Sequence, residues 1–302
     1  MVEHARATRA EGRRTGFVGL GTMGAPLAAR LLDAGVALTV WNRTPERCAP
    51  LVARGALRAI DVAEVFATCA TVMLMLLDEA AVDAVLARGT PAFGERMRGV
   101  TLVMLGTTSA GYSAGLAREV RREGGAYVEA PVSGSRVQAE DGTLVGLLAG
   151  DAASLDRIAP LLAPLFRTRV RCGEVPAALR TKLAVNHYLI VLVTALAEAF
   201  AAAHAAGVDP HLLRSVLDAG PMASAVSRIK LDKLVSGDFT AQAAIRDVAT
   251  IADLAAAQAH GAGVEAPLIE LAARLFRRAH AGGLGALDMA AVLQPPETNA
   301  CP

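Results

Sequence analysis

Apolar residues first gather into a short run at residues 15–20, which ends in glycines. A run of that length bounded by turn residues predicts a buried strand. Residues 24–34 then place apolar side chains at helical spacing and close on Gly35, and residues 36–41 form a second apolar run. Strand, glycine turn, helix and strand in this order make a βαβ unit. The alternation continues: 70–77 and 100–105 predict further strands, each followed by a helix over 78–87 and roughly 113–123, and 127–130 and 144–149 read as strands too. The pattern predicts an α/β domain with a mostly parallel sheet covered on both faces. Met73 and Met75 fall inside one of these runs and are assigned to its core.

After Gly173 the character changes. Residues 176–293 show helical periodicity and alanine richness, with no convincing strand, and are punctuated by turn signals such as Gly207-Val208-Asp209-Pro210 and Gly220-Pro221. The pattern predicts an all-α C-terminal domain joined to the first by a long interdomain helix. The boundary falls near Cys172 to Pro176, giving domains 15–174 and 175–294, with flexible tails at 1–14 and 295–302. The first tail holds arginines together with Glu3 and Glu11 and has no apolar run, which is not the pattern of a signal or transit peptide. The most apolar segment, 183–200, contains Asn186, His187 and Glu198 and reads as a buried helix, not a membrane span.

Composition narrows the classes. With 53% hydrophobic residues the chain is no disordered protein, and a net charge of +1 gives no footprint for nucleic acid. Cys48, Cys69, Cys172 and Cys301 lack C-x-x-C spacing, so free thiols in a reducing cytoplasm are expected. The six histidines show no ligand pattern, and no metal is expected.

The turn after the first strand reads Gly19-Leu20-Gly21-Thr22-Met23-Gly24, a G-x-G-x-x-G fingerprint. The first glycine permits the tight turn, the second lets backbone approach a pyrophosphate, and the third lets helix and strand pack closely. Its position between a strand and a helix is the context that makes the motif meaningful. An acid at the end of the second strand would bind the ribose 2′-hydroxyl of NAD. The chain has Asn42, Arg43 and Thr44 there, which suit a 2′-phosphate, so NADP is expected over NAD.

Two further features carry chemistry. Lys182 and Asn186 stand four apart on a helix and so share a face. The segment Ala130-Pro131-Val132-Ser133-Gly134-Ser135, followed by Ala139-Glu140-Asp141-Gly142-Thr143-Leu144, offers a hydroxyl beside backbone N–H groups that could hold a carboxylate.

Together these pieces resemble the β-hydroxyacid dehydrogenase family over about residues 15–293, and most closely its glyoxylate/succinic semialdehyde reductase branch. The resemblance implies a catalytic lysine at Lys182 with its partner at Asn186, and a substrate-anchoring loop at Ser133, Gly134 and Ser135. It also implies Thr107 beside nicotinamide and substrate, substrate-side residues at Phe239 and Asp247, and cofactor contacts from Leu76, Leu77 and Arg246. The chain departs from the family pattern where Arg246 replaces a lysine, Gly106 a serine, Met104 an acid, Arg136 a lysine and Gln138 a proline.

The expected activity is hydride transfer from NADPH to a small carbonyl compound carrying a carboxylate, with Lys182 as proton donor, Asn186 orienting it and Asp247 in a supporting role. One alternative is an imine reductase of the same architecture, against which Lys182 argues because that group commonly has Asp or Tyr there. The other is a non-catalytic nucleotide-binding module. His187 and Tyr188, being adjacent, point in different directions, so one of them could line the site. The uninterrupted apolar stretch 189–193 predicts a homodimer or larger assembly through the helical half, with no membrane partner.

Overall fold

The computed structural model describes residues 14–295. The expected tails thus lie outside the described residues, apart from Arg14 and Pro295. Arg14 is held by the sheet: its guanidinium donates to the Leu38 carbonyl at 3.1 Å and the Thr39 hydroxyl at 3.3 Å. His4 and Cys301 also lie outside, and among the described residues Cys48, Cys69 and Cys172 form no disulfide.

The chain divides into two compact units, the second beginning at Leu183. The first contains a nine-stranded sheet. Its strands are β1 (Thr15–Val18), β2 (Leu38–Trp41), β3 (Leu57–Arg58), β4 (Thr71–Leu74), β5 (Thr101–Met104), β6 (Ala126–Glu129), β7 (Val132–Ser133), β8 (Leu144–Ala149) and β9 (Phe166–Gly173). They run in the order β3-β2-β1-β4-β5-β6-β8-β7, with β9 also paired to β8. From β3 to β6 every pairing is parallel; β8 is antiparallel to β6 and β7. The strand order reverses between β1 and β4, the switch point at which such sheets bind ligands beyond their carboxyl ends.

Alternation explains why these strands read as continuous apolar runs. Phe17, Met73, Val103 and Val128 belong to one core, and Val18, Val72, Leu74, Leu102, Met104 and Tyr127 to the other. Successive side chains point to opposite faces, and helices cover both. The unit's helices are α1 (Gly24–Asp33), α2 (Ala49–Val52), α3 (Val62–Thr68), α4 (Glu79–Leu86), α5 (Pro91–Met97), α6 (Ala110–Arg122), α7 (Arg136–Asp141) and α8 (Ala152–Leu162).

β9 escapes the hydropathy reading for a physical reason. Past Phe166 its residues are exposed or half-exposed on both faces, and arginines occupy positions 167, 169 and 171. Exposed, charged edge strands resist further pairing but leave no apolar run to recognise.

The second unit comprises most of α9 (Ala177–Ala205), then α10 (Pro210–Ala219), α11 (Ala225–Ser236), α12 (Ile245–Gly261) and α13 (Pro267–Ala281). Its core joins Ile190, Val193 and Ala197 of α9 to Ile245, Ile269 and Phe276. Its β pairing among the described residues is one bridge, Ala244 to Asp288.

By packing, the division falls after Lys182, because the first residues of α9 are anchored to the sheet unit: Ala178 packs with Leu147 and Ala149. The composition changes at residue 173, but the packing changes one and a half turns into the helix. One expectation needs correction: α9 is not a fully buried helix. It is long and apolar enough to cross a membrane by length and composition, yet only 22% of its most apolar stretch is buried.

Candidate active site

The glycine loop has a distinct steric reason at each glycine. Gly19 has φ +95°, and a Cβ there would stand 2.2 Å from the Met75 carbonyl oxygen. A Cβ on Gly24 would stand 1.9 Å from the Gly19 carbonyl oxygen, so α1 could not start this close to β1 with any other residue. Gly21 is different: its missing side chain would meet only the Arg47 guanidinium, at 3.9 Å. That position leaves an open approach to bare backbone. The loop is braced by Asn42, whose Oδ1 accepts the Leu20 N–H at 2.9 Å while its Nδ2 donates to the Thr44 carbonyl at 3.0 Å.

α1 has no side-chain cap and no acid in its first turn. Asp61, Asp78, Ser109 and Asp151 cap α3, α4, α6 and α8 by accepting a backbone N–H three residues on. An uncapped helix start with its positive dipole end beside a bare glycine is the arrangement that receives an anion. These residues fit the pyrophosphate of a dinucleotide. Beside them, Arg43 and Arg47 are exposed, and their guanidinium groups form no ion pair or hydrogen bond among the described residues. Arg47 went unread in the sequence, although it stands in the helical turn Pro45–Cys48 that follows Asn42-Arg43-Thr44.

The ends of β4 and β5 meet the same loop. The Leu76 side chain would stand 2.9 Å from a Cβ on Gly19, and its carbonyl oxygen 2.7 Å from a Cβ on Gly106. Gly106 is therefore required by close backbone approach, which accounts for its replacing the family's serine. Leu77 is 60% exposed and Thr107 is half-buried.

The loop after β6 is tightly held. Gly134 has φ +132°, and a Cβ there would stand 2.6 Å from the Leu144 side chain. Ser135 begins α7 in a capping box with Gln138, whose Oε1 accepts from both the Ser135 N–H at 2.8 Å and its hydroxyl at 2.6 Å. The Ser135 hydroxyl is thus committed to the helix, and Gln138 has a structural use that the family's proline could not supply. Ser133, half-buried, is the hydroxyl of this loop left with no partner among the described residues.

Lys182 is one of three lysines in a chain with 27 arginines. It is 8% exposed, with no hydrogen bond or ion pair to its ammonium among the described residues. Burial alone lowers its pKa from 10.5 to about 8. One turn later on the same helix, Asn186 is 4% exposed and its Nδ2 is buried without a partner. Buried polar groups are nearly always satisfied, so the Asn186 Nδ2 group is a departure from the rule, on the same helix face as Lys182. His187 is half-buried and Tyr188 is 71% exposed.

The start of α9 accounts for every free backbone donor. Ala177 N–H goes to the Glu174 carbonyl and Arg180 N–H to that of Pro176. Those of Ala178 and Leu179 go to Oε2 of Glu129, at 3.1 and 3.2 Å. Glu129 is wholly buried at the end of β6, and its Oε1 accepts the Ser113 hydroxyl at 2.5 Å, which in turn bonds the Tyr127 hydroxyl at 2.7 Å. Burial pushes the Glu129 carboxyl above the usual carboxylate range, against the pull of Ser113 and the two N–H groups. Glu129 also went unread. Its signal was an acid inside a strand that must be covered on both faces.

Phe239, Arg246 and Asp247 belong to the helical unit. Phe239 is half-buried in a loop whose carbonyl accepts the Asp288 N–H at 2.9 Å. Arg246 is exposed, with Nε 3.6 Å from Oδ1 of Asp247. Burial raises the Asp247 pKa despite this neighbour. Among the described residues no cluster of metal-ligating side chains forms.

Comparison with known proteins gives the same outline. Residues 14–173 match the NAD binding domain of 6-phosphogluconate dehydrogenase, and residues 177–295 match the NAD-binding family of NADP-dependent 3-hydroxyisobutyrate dehydrogenase. The chain is 31% identical over 92% of its length to glyoxylate/succinic semialdehyde reductase 2, chloroplastic, of Arabidopsis thaliana, covering 78% of that protein. The structure of 3-hydroxyisobutyrate dehydrogenase from Salmonella typhimurium is similar with TM-score 0.84 and 27% identity, over 93% of this chain and 99% of that one. A reductive aminase from Aspergillus terreus, in complex with NADPH and ethyl levulinate, is similar with TM-score 0.64 and 25% identity, over 93% and 98%.

Proposed function

Since the chain belongs to the β-hydroxyacid dehydrogenase family and is an NAD(P)-binding oxidoreductase acting on CH–OH or C=O groups, we propose that it is an NADPH-dependent reductase of small aldehyde or keto acids of the glyoxylate or succinic semialdehyde type, or catalyses the reverse oxidation of a β-hydroxyacid. The observation that carries this reading is Lys182, a buried lysine with no hydrogen bond or ion pair to its ammonium among the described residues, in a chain with 27 arginines and only three lysines.

When bound, the nicotinamide supplies the hydride. The residues supply the rest. The Lys182 ammonium donates a proton to the carbonyl oxygen as negative charge develops there, and its depressed pKa eases that transfer. The Asn186 carboxamide, lacking a protein partner, orients the same oxygen or the lysine. Ser133 and the backbone beside it anchor the substrate's carboxylate. Gly21 and the uncapped start of α1 receive the pyrophosphate, and Arg43 and Arg47 supply positive charge for a 2′-phosphate. The family resemblance assigns Phe239 and Asp247 to the substrate and Arg246 to the cofactor.

A second reading is imine reduction on the same architecture. Its support is the similarity to a reductive aminase and the absence of a polar side chain at Gly106. Lys182 weighs against it. NADPH consumption with glyoxylate, succinic semialdehyde and a cyclic imine separates the two; turnover of the imine alone would overturn the carbonyl reading.

We propose also that the protein acts as a homodimer or larger assembly. The helical unit leaves Tyr188, Leu212, Val216, Met222 and Leu268 more than half exposed, at 58–71%. A second copy covering this apolar surface would remove it from water.

A further inference from the structure

Lys182 and the Ser133 loop approach the substrate on different elements, yet one side chain is bonded into both. Glu129 is the last residue of β6, and the chain runs from it through Ala130, Pro131 and Val132 into Ser133. Its carboxylate accepts the N–H groups of Ala178 and Leu179, which precede Lys182 by four and three residues. Residues at those offsets share a helix face, so the capped donors lie under the lysine's own turn. We propose that Glu129 is a positioning residue for Lys182, fixing the first turn of α9 to the strand that leads into the substrate-anchoring loop.

The proposal rests on reading Lys182 as the proton donor, and the geometry argues it beyond ordinary capping. A helix needs only a local residue to satisfy its first turn, and α3, α4, α6 and α8 each use an Asp or Ser three positions away. α9 instead draws its cap from 49 and 50 residues away in sequence. A local cap stabilises a helix wherever it lies; a cap from another element fixes where the helix starts. Burying a carboxylate is expensive, and a Ser or Asp before α9 would avoid that cost. The Ser113 bond, itself fixed by Tyr127, holds Oε1 so that Oε2 faces the helix. A misplacement of about 1 Å in a catalytic group costs up to roughly a hundredfold in rate, so such a restraint has kinetic weight.

With only three lysines, the full-length protein made with lysine labelled at the ε-carbon gives three lysine resonances, and Lys182→Ala identifies that of Lys182. In Glu129→Gln, which keeps the size but not the charge, the Lys182 resonance is expected to move while those of Lys230 and Lys233 stay. Turnover of succinic semialdehyde with NADPH should fall roughly tenfold to a hundredfold, and the NADPH dissociation constant should not change. An unmoved Lys182 resonance overturns the proposal even if turnover falls, because the loss would then reach the reaction by another route. Intact turnover overturns it as well. Should Glu129→Gln fail to fold, Ser113→Ala carries the same comparison, with a smaller shift and loss expected, and with no change at Lys182 as the overturning result. If Lys182→Ala keeps full turnover, the proton-donor reading fails, and the resonance still decides whether Glu129 holds Lys182.

Discussion

The ammonium of Lys230 lies 2.7 Å from Oδ1 of Asp288, with both side chains buried. Lys233, also buried, donates to the carbonyls of Thr240 at 2.6 Å and Asp238 at 3.3 Å. Lys182 is buried to the same degree and has no such partner among the described residues. Thus two of the three lysines hold the loop around Phe239, and the third, Lys182, has no such bond among the described residues.

Lys182→Met should make the protein more stable and much less active. The buried ammonium is disfavoured by desolvation, from 10.5 to about 8, which corresponds to a penalty on the order of 3 kcal/mol at neutral pH. An apolar side chain of similar length removes it. Turnover should fall by about 10²–10⁴-fold, the usual contribution of an acid–base group, with NADPH binding retained. Thermal unfolding and cofactor titration of the variant check both halves; unchanged turnover would remove Lys182 from the mechanism.

The pH dependence has a definite sign. Carbonyl reduction uses the ammonium form and should decline as pH rises through about 8, while alcohol oxidation uses the neutral amine and should rise through the same point. Stability behaves in the opposite sense to a stabilising charge. Between about 8 and 10.5 the unfolded chain binds more protons than the folded one, so Lys182 makes stability increase with pH across that window. Denaturant titrations at several pH values should show this rise in the native protein and lose it in Lys182→Met.

Cofactor choice should depend on the two free guanidiniums beside the glycine loop. Arg43→Ala and Arg47→Ala are each expected to lower kcat/KM for NADPH by roughly tenfold, about the weight of one charge-assisted contact, while leaving NADH nearly unaffected. Equal losses with both cofactors would place these residues away from the 2′-phosphate.

Breaking the Lys230–Asp288 pair should be costly. Asp288 also accepts the N–H groups of Gln242 and Ala243 at 2.9 and 3.2 Å, so it fixes the loop that contains Phe239. Lys230→Met strands a buried carboxylate and should destabilise the protein by about 3–5 kcal/mol. A denaturant midpoint close to the native value would show that the pair contributes little.

The assembly is tested by mass. Light scattering at micromolar concentration should return a dimer or larger, and Val216→Asp together with Leu212→Asp should reduce it. A monomeric native protein would leave the apolar helical surface without an explanation.

Much of this was legible in the residues because it depends on local sequence. The alternating runs gave the parallel sheet, since strands buried on both faces must be apolar throughout. The glycine fingerprint was legible from its place between a strand and a helix; the steric demand at Gly24 is local, against the Gly19 carbonyl, whereas that at Gly19 comes from the distant Met75 carbonyl. Lys182 and Asn186 were legible as a pair because helix geometry alone puts them on one face. The absence of acid at Asn42 to Thr44 likewise needed no coordinates.

What the sequence could not supply were relations between distant segments. Ser135 looks like a substrate hydroxyl until its bond to Gln138 is seen, and Gly106 looks like a lost serine until the Leu76 carbonyl is found against it. β9 has no apolar pattern because it lies exposed at an edge. Glu129 reads as an odd acid in a strand; only tertiary structure brings it to the first turn of α9, from 49 residues away. Local periodicity determines which elements form and which residues share a face. Burial and hydrogen-bond satisfaction are properties of the whole fold, and they alone separate the lysines that hold a loop, Lys230 and Lys233, from Lys182, buried without such a bond among the described residues.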